Sequence, residues 1–238
     1  MWPFTHSSLL SARVTDGITD WHSHILPGVD DGVETLSDSL EILQTYEEMG
    51  FREVWLTPHI MEDCPNTTDS LRMRFEELKS AYQGSLQLHL AAENMLDPLF
   101  TQRLEEDDVL PLGPRGEHLL VETSYINPPS GFHDLLKKIR SKGFFPVLAH
   151  PERYRYMNHD DYRRLREEGI IFQINLFSLL GIYGPDARMK AEWLLRHRMT
   201  DIAGSDIHRS SMLRFFNHRL KSGKTLSLLR DTAQNQIQ

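Results

Sequence analysis

The chain has 238 residues and a formal net charge of −8, with 26 basic and 34 acidic side chains. This acidic balance disfavours binding along a nucleic-acid backbone, which needs a basic face, so we expect no nucleic-acid partner. A single cysteine, Cys64, excludes an intrachain disulfide, and no apolar run reaches the length of about 18 residues that a membrane-spanning helix needs.

Short apolar runs alternate with amphipathic segments along the chain. The runs are typical of strands, and one of them alternates Leu86, Leu88 and Leu90 with polar residues. They predict seven strands, within residues 17–22, 52–60, 86–94, 118–124, 144–153, 170–178 and 200–208. The amphipathic segments have helical spacing, and Gly50 is placed to end the first of them. They predict helices within residues 34–50, 68–82, 132–143, 159–169 and 184–198, and a last helix to about residue 222.

This alternation determines the expected fold class and domain organisation. Strands separated by helices pair in parallel through right-handed crossovers, so the class is α/β. No linker, repeat or low-complexity segment divides the chain. We expect one domain over residues 18–222, an N-terminal extension over 1–17 and a partly disordered C-terminal tail over 223–238. The opening residues lack the basic-then-apolar pattern of a signal peptide, so we expect a cytoplasmic protein without membrane insertion.

Metal-ligating residue types fall at or just past the ends of the predicted strands. The carboxyl ends of the strands of a parallel barrel converge on one face, where active sites are built. Residues that are far apart in the sequence would therefore meet in one pocket. The residues at these positions are His22, His59, Glu93, Glu122, His150 and Asp206.

Two pairs strengthen this pattern. His22 and His24 are two residues apart, so a continuing strand would aim both imidazoles the same way, as chelation requires. Asp206 and His208 have the same spacing, although Gly, Ser and Asp around them also favour a simple turn. The other residues have ordinary alternatives too. Each glutamate could form a buried salt bridge to an arginine, and each remaining histidine could be a hydrogen-bonded core residue.

Imidazoles and carboxylates without a thiolate suit Mn, Fe, Zn or Mg. Eight such residues are too many for one cation, so a bridging carboxylate, for which Glu122 is the candidate, would let two or three metals share them. Sites of this kind activate water and hold both the attacking and leaving oxygens of a phosphoryl transfer.

Four motifs of the chain match a known family. The segments "DWHSHILPGVDDG", "TPHIM", "AHPERY" and "GSDIH" resemble the polymerase-and-histidinol-phosphatase (PHP) superfamily. Within it, the chain is most similar to the bacterial metal-dependent protein-tyrosine phosphatases of capsule and exopolysaccharide loci. The resemblance extends from about residue 18 to residue 220.

The resemblance implies a distorted seven-stranded (β/α) barrel with a centre of two or three divalent metals, most often manganese. The implied substrate is the phosphotyrosine tail of a membrane-anchored bacterial tyrosine kinase. Asp31 and Arg153 match family positions that line the site, and Arg214 is one position beyond the place of a family arginine. The implied metal ligands are His22, His24, His59, Glu93, Glu122, His150, Asp206 and His208.

The chemistry can also be examined from the residues themselves. A cysteine-based phosphatase needs an arginine six positions after its nucleophile, but Ser70 stands there relative to Cys64, so that route is excluded. In the metal-dependent route, Arg153 could bind phosphoryl oxygens in a bidentate way. Either Asp31 or a metal-bound water could donate a proton to the leaving phenolate. Glu152 is expected to orient His150 from behind.

Competing functions remain at this level. A small-molecule phosphoesterase of the histidinol-phosphatase type would use the same barrel and the same ligands. The chain lacks long insertions that would close over a small substrate, which favours an open site that a peptide can reach. A non-catalytic, metal-stabilised binding module is a third possibility. A proofreading nuclease is disfavoured by the net charge of −8.

Overall fold

The computed structural model describes residues 7–217, 219–220, 223–235 and 237. Parallel strands form a curled sheet with helices packed outside it, which confirms the α/β prediction. The strands are β1 Ser7–Ser8, β2 Thr19–Ser23, β3 Glu53–Leu56, β4 His59–Ile60, β5 Gln87–Leu90, β6 Glu93–Met95, β7 His118–Glu122, β8 Phe145–Ala149, β9 Ile171–Asn175, β10 Ile202–Gly204 and β11 Arg219–Leu220.

Several helices begin at capping residues that the sequence supplies. Thr35 caps the first helix by accepting the backbone N–H of Asp38, and Thr67 forms a capping box with Ser70 at the second. The five helices predicted up to residue 198 are all present. The eight-residue helix α3 and the short α6 were not predicted. The helices are α1 Leu36–Glu48, α2 Thr68–Ala81, α3 Pro98–Glu105, α4 Phe132–Ser141, α5 His159–Glu167, α6 Leu176–Leu179, α7 Pro185–Arg196 and α8 Gly223–Ala233.

The parallel strands belong to two sheets. One has six strands in the order β10-β9-β8-β7-β6-β4, and the other has three in the order β2-β3-β5. An isolated parallel bridge between Ser23 and Ile207 links β2 to the segment after β10. On the other side, the Glu93 N–H donates to the Pro58 carbonyl at 3.1 Å, where the chain passes from one sheet to the other.

The predicted count of seven strands is not confirmed. The runs predicted at 52–60 and 86–94 are each broken into two strands, with one piece in each sheet. Thr57 and Pro58 interrupt the first run, and Pro58 has no N–H to donate to a neighbouring strand. Ala91 and Ala92 interrupt the second run, directly opposite the first break.

The interior of the curled sheet is filled by side chains from many strands, as in a packed barrel. Trp21 and Trp55 stack with ring centroids 5.7 Å apart at its centre. The pairing register of β2 with β3 shifts between Asp20 and Ser23, and a shift of this kind re-aims side chains. The interior cluster contains Trp21, Trp55, Ala91, Leu112, Leu120, Val147, Ala149, Ile202 and Ile237.

The two ends of the chain differ from the expected extension and disordered tail. Strand β1 pairs with β11, and Leu9 is buried, so the described part of the extension packs onto the domain. After residue 222 the chain forms helix α8, whose Leu229 and Ala233 are buried in the core. The tail is ordered because it contacts residues that are distant in the sequence. For example, the indole N–H of Trp21 donates to the Asn235 carbonyl.

The expected last helix to residue 222 is replaced by a 3-10 helix, Ser210–Asn217, and by β11; residues 218, 221 and 222 lie outside the described residues. Residues 1–6 also lie outside them. Within the described ranges, no helix is both long and apolar enough to cross a bilayer.

The packing of α8 gives a direct test. Leu229→Ala should lower the free energy of unfolding by about 2–5 kcal/mol, because it leaves a cavity in a fully buried site. Met73→Ala is the matched control, since Met73 is 68% exposed on α2 and its loss should cost less than about 0.5 kcal/mol. Urea unfolding measures both values. Equal and small effects would mean that the tail does not pack.

Candidate metal centre

All eight predicted ligands lie in one cluster, which joins the carboxyl ends of β2, β7, β8 and β10 to the first residues of β4 and β6. Its centre is Glu93, the first residue of β6. One carboxylate oxygen, Oε2, lies 3.1 Å from His22 Nε2, 3.3 Å from His24 Nε2 and 3.1 Å from His59 Nδ1. The other oxygen, Oε1, lies 3.0 Å from His150 Nε2. Four imidazoles therefore converge on one buried carboxylate.

The remaining predicted ligands surround this centre. Glu122 Oε1 lies 3.1 Å from His59 Nδ1. Asp206 Oδ1 lies 3.4 Å from His24 Nε2 and 3.5 Å from His208 Nδ1. Three groups of donor atoms are each close enough to hold one cation: His24, Asp31, His59 and His208; His22, His24 and Glu93; and His59, Glu93 and Glu122.

The donor groups favour a different shared carboxylate from the expected Glu122. Glu93 belongs to two of the three groups, whereas Glu122 belongs to one. Both glutamates end predicted strands, so sequence position alone could not separate them. Glu93 occupies the shared position because β6 lies between β4 and β7, next to the strand that carries His59.

The cluster fits a divalent metal centre. Glu93 Oε2 and His59 Nδ1 are buried, yet neither has a hydrogen-bond partner of acceptable geometry among the described residues. Buried polar atoms are normally paired, so unpaired donors that face each other indicate a missing ligand. Imidazole and carboxylate donors suit Mn, Fe, Zn or Mg, and the residues present therefore fit the group that the motifs imply.

The charges of the cluster also fit a cation. Burial lowers the pKa of His22, but the carboxylates of Glu93 and Asp206 oppose this and raise it to about 9. Burial would raise the pKa of Glu93, yet the imidazoles of His22 and His59 hold it well below its usual range. Protons thus balance the buried carboxylates, and a bound cation would displace them.

Two residues that the sequence did not reveal orient the imidazoles. Gln173 Oε1 lies 2.9 Å from His22 Nδ1, and Asp30 Oδ2 lies 2.8 Å from His24 Nδ1. A partner on the second ring nitrogen fixes the tautomer and the ring plane of a ligand histidine. Asp30 stands next to Asp31 in "GVDDG", so the only available signal was the pair of acids itself.

Asp31 has a different environment from Asp30. Its carboxylate is exposed, and Oδ1 lies 3.5 Å from His208 Nε2 and 3.6 Å from His59 Nε2. The interaction with His208 lowers the pKa of Asp31 to about 2. Asp31 is therefore ionised at neutral pH, which suits a metal ligand, and its expected role as a proton donor stays a prediction.

Backbone geometry brings the ligands together. A Cβ at Gly204 would lie 2.4 Å from the Cβ of His22, so only glycine permits β10 to approach β2 here. Gly32 is constrained in the same way against His24. His150 and Asp206 adopt left-handed backbone angles, with φ of 33° and 56°, which is costly for non-glycine residues and typical of functional sites.

Other predicted residues are placed as follows. Arg153 Nη1 donates to Asp206 Oδ2 at 2.6 Å, beside the cluster. Arg214 is exposed, and its guanidinium lies 4.9 Å from the Phe215 ring centroid. Among the described residues, no hydrogen bond or ion pair joins Arg214 to the eight predicted ligands. Glu152 does not hold the His150 ring as expected. Its Oε1 accepts the Asn175 N–H at 2.9 Å and the Ser178 hydroxyl at 2.7 Å.

A cleft of about 1070 Å³ lies beside the cluster. Asp31, His59, Glu122 and Arg153 line it, so the donor cluster is reachable from solvent. Its walls contain both polar and apolar side chains. The wall residues include Met61, Met95, Tyr125, Ile126, Arg155, Tyr183 and Pro185.

Comparison with known proteins agrees with this geometry. The family model for capsular polysaccharide synthesis, CpsB/CapC, matches residues 18–215. The chain belongs to the CpsB/CapC family. This CpsB/CapC chain is 29% identical over 195 residues to the tyrosine-protein phosphatase YwqE of Bacillus subtilis, covering 79% of this chain and 76% of the relative. It is 26% identical over 208 residues to the tyrosine-protein phosphatase CpsB of Streptococcus agalactiae, covering 79% and 82%.

A solved structure is similar as well. It comes from work on YwqE from Bacillus subtilis and CpsB from Streptococcus pneumoniae, which are described as unique metal-dependent tyrosine phosphatases. The TM-score is 0.75 at 26% identity, over 90% of this chain and 87% of the other. The resemblance drawn from the motifs is therefore confirmed at the level of family and fold.

The role of Glu93 in this CpsB/CapC chain can be tested by metal binding alone. Glu93→Gln should weaken Mn²⁺ binding by at least about tenfold, because the shared carboxylate loses its charge and one acceptor. Isothermal titration measures the affinity. Glu76→Gln, on the exposed face of α2, should bind Mn²⁺ like the parent chain. Unchanged affinity in Glu93→Gln would contradict the assignment.

Proposed function

We propose that this chain is a metal-dependent protein-tyrosine phosphatase. In this proposal it acts in the cytoplasm on the phosphotyrosine tail of a membrane-anchored bacterial tyrosine kinase that controls capsular or exopolysaccharide synthesis. The observation that carries the proposal is the buried donor cluster around Glu93 beside a large cleft. Membership of the CpsB/CapC family supports the choice of phosphotyrosine. The two sheets would serve as one distorted seven-stranded barrel of the PHP type, with each broken run counted once.

The proposed cofactor is two or three divalent cations, most readily manganese, with iron, zinc or magnesium as alternatives. They would be held by His22, His24, His59, Glu93, Glu122, His150, Asp206 and His208. Bound divalent cations supply Lewis-acid polarisation of phosphoryl oxygens and a water activated at neutral pH. Asp31 lies within the outermost donor group and would complete it as an additional ligand.

The chain's own residues would supply positioning. Arg153 lines the cleft beside Asp206, and its remaining N–H groups could bind the phosphoryl oxygens of a substrate. The leaving phenolate of tyrosine has a pKa of about 10, so it departs more easily than an alkoxide and depends less on a proton donor. This agrees with an ionised Asp31 at the site.

The cysteine route receives no support from the structure. The thiol of Cys64 lies 3.3 Å from the Val29 carbonyl, and burial raises its pKa. A catalytic cysteine needs the opposite, a thiolate stabilised by positive charge.

The deciding experiment compares a phosphotyrosine peptide with histidinol phosphate. Phosphate release would be measured after EDTA treatment and again after addition of Mn²⁺. We expect metal-dependent release from the peptide, and a much lower kcat/KM for histidinol phosphate, because the similar proteins of the family are tyrosine-protein phosphatases and the cleft of about 1070 Å³ is much larger than a tyrosine side chain. Release mainly from histidinol phosphate would instead assign a small-molecule phosphoesterase. Release from neither substrate would contradict both.

Substitutions separate the metal route from the cysteine route. His22→Ala and Asp206→Ala should abolish peptide dephosphorylation, since each removes a donor from the cluster. Cys64→Ser should keep the parent kcat and KM. Circular dichroism would check that each variant is folded. Full activity of either ligand variant, or loss of activity in folded Cys64→Ser, would refute the metal-based assignment.

A further inference from the structure

The guanidinium of Arg153 packs against two tyrosine rings. Its central carbon is 4.4 Å from the ring centroid of Tyr125 and 4.1 Å from that of Tyr183. Two aromatic rings therefore contact the same guanidinium. We refer to Tyr125, Arg153 and Tyr183 as the arginine clamp.

The N–H groups of the guanidinium have a different partner from its carbon. Nη1 donates to Asp206 Oδ2 at 2.6 Å, and this oxygen also accepts from Asn175 at 2.7 Å and from the Tyr183 hydroxyl at 3.3 Å. The other oxygen of Asp206 faces the histidines of the cluster. The edge of Arg153 is thus attached to a ligand of the proposed metal centre.

The clamp is assembled from loops that follow three neighbouring strands. Tyr125 follows β7, Arg153 follows β8, and Tyr183 lies in the loop between α6 and α7, after β9. The N–H of Arg155 donates to the Tyr125 carbonyl at 2.8 Å and joins the first two loops. Tyr125 also packs on Tyr154, with ring centroids 6.1 Å apart. The clamp is therefore supported in the absence of any substrate.

We propose that Tyr125 and Tyr183 are positioning residues that hold Arg153 edge-on to the phosphoryl group of the substrate. The proposal rests on the phosphatase function proposed above. Because two rings pack against the guanidinium, they limit its rotation and leave its N–H edge as the part that a phosphoryl group can reach, where N–H groups form parallel bonds to two oxygens. The same plane contains the bond to Asp206, so the clamp sets the phosphoryl group in a fixed relation to the metal ligands.

The two tyrosines have different secondary roles. The Tyr183 hydroxyl donates to Asp206, so Tyr183 supports the arginine and the ligand together. Tyr125 is 36% exposed and forms part of the cleft wall. Its contribution should come from the ring alone. Replacement by phenylalanine therefore distinguishes ring from hydroxyl at both positions.

The test measures p-nitrophenyl phosphate hydrolysis and competitive inhibition by orthophosphate in the Mn²⁺-loaded protein. Tyr125→Leu and Tyr183→Leu should each lower kcat/KM about tenfold, because the guanidinium loses one of the two rings packed against it. Both should raise the inhibition constant of orthophosphate, while the Mn²⁺ content stays at the parent value. Tyr125→Phe should stay within about twofold of the parent. Tyr82→Leu, a half-buried tyrosine after α2, is the matched control.

A double-mutant cycle shows whether the tyrosines act through Arg153. Arg153→Ala should lower kcat/KM by about 100-fold, and adding Tyr125→Leu to it should change the value by less than about twofold. Equal effects of Tyr125→Leu with and without Arg153 would overturn the clamp, as would leucine variants that behave like the phenylalanine variant. An inactive parent chain would instead refute the phosphatase function, and orthophosphate binding by Mn²⁺-loaded protein would then test the clamp separately by the same variants.

Discussion

The carboxylate of Glu93, buried against four imidazoles, is the constraint on which the rest of the site depends. Taking charged groups out of water is costly unless each charge is balanced and each polar atom is paired. The surrounding residues reduce this cost. Gln173 and Asp30 pair the outer ring nitrogens, and Arg153 balances Asp206. At the centre they leave Glu93 Oε2 and His59 Nδ1 unpaired and facing each other, where a cation would bind.

The interrupted strands serve this arrangement. His59 and Glu93 are the first residues after the two breaks, and they stand opposite each other in the pairing of β4 with β6. If the two strands were unbroken, both residues would remain in the three-stranded sheet. The two breaks place both residues in the six-stranded sheet, where they pair directly, so their side chains lie at the same level. The same two strand breaks therefore cause both the departure from a regular barrel and the assembly of the cluster.

Much of this architecture could be predicted from the sequence, because apolar periodicity and residue type are local properties. The alternation of strands and helices, the strand-end position of the ligands and the family resemblance all came from short segments. What escaped prediction depends on contacts between distant segments. The choice of Glu93 over Glu122 follows from strand order, and the burial of Asp30 beside an exposed Asp31 follows from loop packing. Helix α8 and the pair of tyrosines around Arg153 have no local pattern that distinguishes them from surface residues.

The left-handed backbone at His150 and Asp206 has a consequence for how such a protein can change. Each of these conformations costs about 1–3 kcal/mol in a residue with a side chain, and glycine would relieve it. Glycine there would also remove a buried polar side chain, yet it would delete one of the proposed metal ligands. Selection for thermal robustness and selection for turnover therefore pull these two positions in opposite directions. A lineage that lost the need for catalysis should lose these side chains early, while its scaffold gained stability.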